Sequence, residues 1–344
     1  MKKRIEIACS DARNADSGAG SSSPSSANAP SSWTRREWMT SAAAGILGAG
    51  LASGVGAGAI PVLAEENRPF SAGRAPLPLR FAVKYSMVKT DQPMLEDFRM
   101  LRRLGYDGVE LDSPNGYARD DVLRARDESG LPIHGVVDSI HWQIRLSDPD
   151  PDVRRRGREG LETAIRDAHA YGGSSVLLVP GAVRDPEREN AEQVYERSIV
   201  EIRAVLPLAA ELGIRILIEN VWNRFLYDHD GSSDQTAHRF AQYLDEIGSP
   251  WVGAYFDLGN HCKYGKVEDW VRTLGPRIVK LDVKDWGKKA GWVKIGEGDV
   301  DWPAVRSALR DIGFTGWCTA EVVGGQEARL RDIKARMDRV LGAG

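Results

Sequence analysis

Residues 190–220 read NAEQVYERSIVEIRAVLPLAAELGIRILIEN. Over 190–212, Val194, Ile199, Ile202, Val205, Leu206 and Leu208 recur near helical spacing, with Glu and Arg between them. That pattern predicts a helix with one buried face. Gly213 follows Leu212, and glycine ends helices because it tolerates positive φ. The apolar run 214–219 comes next and closes on Glu219. A short, nearly continuous apolar run of this kind predicts a buried parallel strand.

The same order recurs on both sides. Strands are predicted at 81–85, 108–111, 132–137, 174–179, 214–219, 252–257, 277–283 and 316–322. Helices are predicted at 91–104, 117–129, 151–171, 190–212, 231–247, 266–274, 302–313 and 325–341. Eight strand-then-helix units favour a closed (β/α)8 TIM barrel over an open doubly wound sheet. No glycine-rich phosphate loop follows the first strand, which weakens a dinucleotide-binding reading. The barrel is expected to occupy residues 80–344.

The chain before it is of another kind. Residues 1–64 form a low-complexity leader. Ser, Ala, Gly, Asn and Pro dominate 10–33, too little apolar surface to order a segment. Arg35 and Arg36 then precede a weakly apolar run that ends in Val62-Leu63-Ala64, a small-residue pattern suited to signal peptidase. Paired arginines ahead of such a run resemble a twin-arginine signal. The expectation is transient contact with that export machinery, a periplasmic or extracytoplasmic protein, and no stable membrane anchor. Residues 65–79 are read as a linker. The 344-residue chain has net charge −3; the leader carries a surplus of two positive charges, leaving −5 on the rest. An acidic body argues against a nucleic-acid partner. Cys9, Cys262 and Cys318 have no metal-ligand spacing.

In a barrel of this type, chemistry sits at the C-terminal strand ends. Strand five ends in Glu219-Asn220, strand six in Asp257, strand seven in Asp282-Val283-Lys284-Asp285 and strand eight in Glu321. Four converging carboxylates repel unless compensated, and a divalent cation is the simplest compensation. All-oxygen ligation favours Mg²⁺ or Mn²⁺, with Co²⁺ as a third choice. A lone Asp after a strand is more often a helix cap or turn residue, and Asp285 is open to that reading. His134, His141, Trp142 and Glu110, near the ends of strands two and three, are candidates for the mouth; for His134 a packed strand residue is an equal alternative.

The runs Ile218–Asn223, Tyr255–Asn260, Val283-Lys284-Asp285, Gly296–Trp302 and Thr319–Val322 resemble sugar phosphate isomerase/epimerases of the xylose isomerase-like superfamily. The L-xylulose-5-phosphate 3-epimerase and hexulose-6-phosphate isomerase types are the nearest in kind. The resemblance implies a metal held by Glu219, Asp257 and Glu321, with a fourth ligand that is usually histidine. Here that position is Asp282, with His261 nearby as a partial substitute. It further implies that Glu219 and Glu321 form an acid/base pair that moves protons next to the carbonyl of a keto-sugar through an enediolate. Asn260, Lys284, Asp285, His141, Trp142 and Glu110 would contact substrate, and a homo-oligomer is common among such proteins. Export favours a non-phosphorylated sugar. A 3-keto-glycoside lyase or hydrolase on the same frame, and a catalytically inactive exported sugar-binding protein, remain as alternatives. DNA endonucleases of this fold need a histidine-rich zinc cluster, and six histidines in an acidic chain suit that poorly.

Overall fold

The computed structural model describes residues 77–342. The leader, with Arg35 and Arg36, and most of the expected linker lie outside the described residues. The strands are β1 (Leu79–Lys84), β2 (Gly108–Ser113), β3 (Ile133–Asp138), β4 (Ser175–Leu178), β5 (Arg215–Glu219), β6 (Val252–Asp257), β7 (Ile278–Val283), a small hairpin of β8 (Asp285–Gly287) and β9 (Gly291–Val293), and β10 (Gly316–Ala320). β1 to β7 and β10 pair in parallel, and β10 returns to β1 to close the barrel. The helices are α1 (Met94–Arg103), α2 (Arg119–Ser129), α3 (Pro151–Tyr171), α4 (Ala191–Leu212), α5 (His238–Ile247), α6 (Leu258–Cys262), α7 (Val267–Leu274), α8 (Trp302–Asp311) and α9 (Glu327–Met337). No helix among the described residues is long and apolar enough to cross a membrane.

The local chemistry of α4 shows why the pattern works. Asn190 accepts the Gln193 N–H at 2.9 Å while the Gln193 side chain accepts the Asn190 N–H at 3.0 Å. This reciprocal cap satisfies two donors that the first turn leaves open. Val194, Ile199, Ile202 and Val205 are buried, and the helix stops at Gly213 with φ of 69°. Truncating Ile202 to alanine would cost about 2–5 kcal/mol, since a side chain this enclosed leaves a cavity behind.

The helix expected at 231–247 begins only at His238. Asp228 to Gln235 form a turn instead, in which Gln235 Nε2 donates to the carbonyls of Asp228 and Ser232 and Gln235 Oε1 accepts the Asp228 N–H. Gly231, Ser232, Ser233 and Asp234 favour turns over helix. The short α6 and the β8–β9 hairpin were not anticipated. α9 stops at Met337, and a wider turn covers Asp338–Gly342.

The main apolar core draws on both strands and helices, with Val176, Ile216 and Ile218 from the barrel and Ile165, Ile202 and Phe240 from the helices around it. Inside the barrel, Leu177, Leu217 and Tyr255 form a smaller apolar group. A polar chain runs beside them. Lys280 Nζ lies 2.8 Å from His134 Nδ1, His134 Nε2 lies 3.2 Å from Thr319 Oγ1, and Tyr255 hydroxyl meets Thr319 at 2.6 Å and donates to Glu110 Oε2 at 3.3 Å. His134 also stacks on Trp317 at 4.5 Å. It is thus a packed interior residue, satisfied from both ring nitrogens. Buried polar groups persist when partnered in this way.

Candidate active site

Each carboxylate reaches the mouth because a strand ends there. Register places Asp257 of β6 opposite Asp282 of β7. Glu219 is the last residue of β5, and Glu321 follows β10 directly. One carboxylate oxygen from each of Glu219, Asp257, Asp282 and Glu321 lies within 4.8 Å of the other three. The first three are buried, while the Glu321 side chain keeps 32% of its surface open to the mouth.

Two lysines stand among them. Lys284 Nζ lies 2.9 Å from Asp257 Oδ2 and 2.6 Å from Glu321 Oε2. Lys84, the last residue of β1, lies 2.9 Å from Asp282 Oδ2 and 3.1 Å from Glu321 Oε1. Sequence reasoning missed Lys84. It lies inside the strand expected at 81–85, and only in the folded barrel does it end β1 beside β10.

The loop after β6 clamps the rest. Asn220 donates to the Asp257 carbonyl at 2.9 Å and accepts the Asp257 N–H at 2.7 Å. Asp257 Oδ1 accepts the Asn260 N–H at 2.6 Å, capping α6. Asn260 Nδ2 donates to Glu219 Oε1 at 3.3 Å and to the Asn220 carbonyl at 2.9 Å, and Trp222 Nε1 donates to the Asn260 carbonyl at 2.8 Å. Second contacts of this kind fix the rotamers of would-be ligands.

Electrostatics split the carboxylates. Burial, reinforced by repulsion from Glu321, pushes Glu219 up to about 8. Burial also raises Asp257, to about 6, with Lys284 opposing. Burial would raise Glu321 too, but the ammonium groups of Lys284 and Lys84 outweigh it and hold it well below the usual carboxylate range. Burial likewise pushes Asp282 up, against the pull of Lys84. Neighbouring carboxyls at the mouth are thus held with opposed proton affinities.

The remaining candidates fall in different places. His141 is buried beyond β3 and its Nδ1 accepts the Val179 N–H at 3.2 Å. Trp142 is 39% exposed, and its carbonyl accepts a bond from Arg184. Glu110 is buried in β2, level with Lys84, and its Oε1 has no hydrogen-bond partner. Asp285 is committed to its own loop: it accepts from the backbone N–H groups of Trp286 (2.9 Å), Gly296 (2.8 Å) and Val300 (3.4 Å), and from Trp302 Nε1 (3.1 Å). Its carboxylate ties the start of β8 to the segment that carries Gly296, Val300 and Trp302, each oxygen accepting two bonds, an organising role in place of the substrate contact expected for it. His261 is fully buried against Trp270, with ring centroids 3.2 Å apart, and is not one of the four converging residues. The hairpin contributes what the sequence did not suggest. Trp292 stacks on Trp222 at 5.1 Å, Trp286 meets Trp222 edge-on, and Lys284 Nζ lies 5.2 Å from the Trp292 ring. Trp292, 51% exposed, therefore stands at the rim of the carboxylate cluster.

A closed eight-stranded barrel with acidic strand ends narrows the choice of families, and comparison decides it: residues 98–340 match the xylose isomerase-like TIM barrel family. The chain belongs to this family. Among its relatives is the 2-oxo-tetronate isomerase of Pectobacterium atrosepticum, 23% identical over 250 residues that cover 70% of this chain and 91% of that protein. The apo 3-keto-D-glucoside 4-epimerase of E. coli shares the fold with a TM-score of 0.62 at 16% identity, over 78% of this chain and all of that one. The IolI protein with a bound zinc atom superposes with a TM-score of 0.65 at 14% identity, over 76% of this chain and 98% of that one. The relatives of this chain thus include named isomerases and epimerases.

Proposed function

We propose that this protein is a divalent-metal-dependent isomerase or epimerase of a non-phosphorylated keto-sugar, with Glu219 and Glu321 as its acid/base pair. One observation carries the reading: four carboxylates from adjacent strands converge within 4.8 Å at the barrel mouth. The donor set fits a cation. Asp282 Oδ1 is a buried atom with no hydrogen-bond or ion-pair partner, and Asp257 Oδ2 and Glu321 Oε2 share the single ammonium of Lys284. The cluster thus holds more negative than positive charge, and a buried anion needs a counter-charge. Glu219, Asp257, Asp282 and Glu321 would hold the ion, and hard oxygen donors favour Mn²⁺ or Mg²⁺. Bound there, the ion would polarise a sugar carbonyl and stabilise negative charge on oxygen.

The chain's own residues handle the protons. One glutamate accepts the proton from the carbon beside the carbonyl. The electron pair moves into the carbon–carbon bond, and negative charge develops on oxygen, leaving an enediolate. The other glutamate returns a proton to the same carbon from the opposite face, which epimerises it; return to the neighbouring carbon isomerises. Lys284 faces the same space and can give a sugar oxygen one of the bonds it now gives a carboxylate. Asn260, whose two amide N–H groups go to Glu219 and the Asn220 carbonyl, holds Glu219 in place. Trp292 at the rim offers an apolar plane of the kind on which sugar rings pack. The 3-keto-glycoside epimerase among the structural relatives supports a free glycoside as well as a free ketose, and the export signal read from the leader points the same way.

The test is solvent exchange. With Mn²⁺ in deuterium oxide, the protein should place deuterium on the carbon next to the carbonyl of a ketose or 3-keto-glycoside. Glu219→Gln and Glu321→Gln should each lower that rate by about 10²–10⁴-fold, the usual contribution of a positioned acid or base. Sugar binding without exchange in the unmodified protein would instead establish a binding protein.

A further inference from the structure

Six charged side chains meet at the mouth: four carboxylates and two ammonium groups, a formal sum of −2. One divalent cation brings that sum to zero. The balance depends on which lysine serves which carboxylate. Lys284 contacts Asp257 and Glu321 and makes no ion pair with Asp282. Asp282 is served by Lys84, which also lies 3.1 Å from Glu321 Oε1. Glu321 has Lys284 besides, whereas Lys84 is the one ion-pair partner of Asp282 among the described residues. Glu219 and Glu110 also act on Lys84, and the Tyr255 ring lies 5.8 Å from its Nζ.

The grip is one-sided. Lys84 Nζ donates to Asp282 Oδ2, while Asp282 Oδ1 stays buried with no hydrogen-bond partner. Lys84 therefore does two things to the same carboxylate. It cancels the charge, and it fixes the rotamer that leaves one oxygen for the cluster.

We infer that Lys84 and Asp282 act as one charge-neutral unit, in which the lysine lets an aspartate occupy the fourth corner of the cation site without over-charging it. Lys84 is a positioning residue: it acts on the cation through Asp282. Affinity for a divalent ion then follows the summed charge of the six side chains and not Asp282 alone. The inference rests on the metal reading given above.

Mn²⁺ binding, followed by electron paramagnetic resonance and calorimetry with no substrate present, tests it. Asp282→Asn moves the sum to −1 and should weaken Mn²⁺ binding at least about tenfold, because a lost buried charge beside a divalent ion is poorly screened. Adding Lys84→Met to that variant restores −2 and should bring affinity back to within about threefold of the unmodified protein, a coupling that a double-mutant cycle isolates. A merely structural lysine would make the double variant worse than Asp282→Asn. A double variant as weak as Asp282→Asn, or weaker, overturns the inference. Should Asp282→Asn fail to fold, the double variant, a neutral pair of similar size, decides alone: near-native affinity supports the unit and a loss beyond tenfold refutes it. If the unmodified protein binds no Mn²⁺, the metal reading itself falls, and this inference with it.

Discussion

His141 offers a quantitative test of how the mouth is held. The ring is buried beyond β3, and its Nδ1 takes the N–H of Val179 at the end of β4. That bond requires a neutral nitrogen. Burial, with the nearby Lys84 ammonium as the second cause, lowers its pKa from 6.5 to about 3. In the unfolded chain the ring takes up a proton below about 6.5, while in the folded protein it stays neutral down to about 3. Between those values the unfolded state binds more protons, so stability falls as pH falls. Each pH unit in that window is worth about 1.4 kcal/mol, so from pH 6.5 to pH 4 the loss reaches about 3 kcal/mol. That is a large share of a net stability of about 5–15 kcal/mol. His141→Gln keeps an acceptor for Val179 and removes the titration. Urea unfolding of both proteins at pH 7, 6, 5 and 4 isolates the effect, since all other groups are shared. The variant should start less stable at pH 7, and the gap should shrink by about 3 kcal/mol by pH 4. Parallel stability curves would show that His141 takes up its proton as readily in the native state as in the unfolded chain, and that its place in the wall has been misjudged.

Other expectations follow from the same geometry. Asp285→Ala should destabilise the fold by about 3–5 kcal/mol in thermal or urea unfolding, because it strands four donors that now share one buried carboxylate; a variant of native stability would return Asp285 to the list of substrate contacts. Mn²⁺ at a hundred times its dissociation constant should add about 2.7 kcal/mol to the metal-free protein and raise Tm by several degrees, an effect that EDTA reverses. Trp292→Ala should leave Tm within about a degree, since the ring is half exposed and lost surface area there stabilises little; it should raise KM for the sugar several-fold with kcat nearly unchanged, and an unchanged KM would remove the hairpin from the binding site.

The barrel was legible because its units repeat a pattern that local chemistry enforces. In 190–220, the apolar face gave the helix and Gly213 its end, and the reciprocal cap at Asn190 in the structure agrees with both. The acidic strand ends were legible for a related reason: Glu219 and Glu321 close apolar strands, where an unpartnered charge is costly. The turn at 228–235 carried a local signal in Gly231 to Asp234 that the helix reading passed over, while its closure, with Gln235 reaching back seven residues to Asp228, was not readable from the sequence. Asp285 also defeated the sequence. Its position after β7 suits either a substrate contact or a loop organiser, and only the approach of Gly296, Val300 and Trp302 from later in the chain separates the two.

Lys84 is the more instructive case, because topology alone contained it. A linear reading treats the first strand as distant from the last. A closed barrel makes them neighbours: Val83 of β1 pairs with Ala320 of β10, which sets Lys84 level with Glu321. β10 in turn pairs with β7, Thr319 opposite Asp282, so a side chain at the end of β1 can reach two strands across. In this chain the charge that ends β1 thus belongs to the site at the end of β7 and β10. Four carboxylates suggest a cation when counted along the chain. Counted around the barrel, they come with two ammonium groups already among them, and the charge left for a metal to neutralise is two and not four.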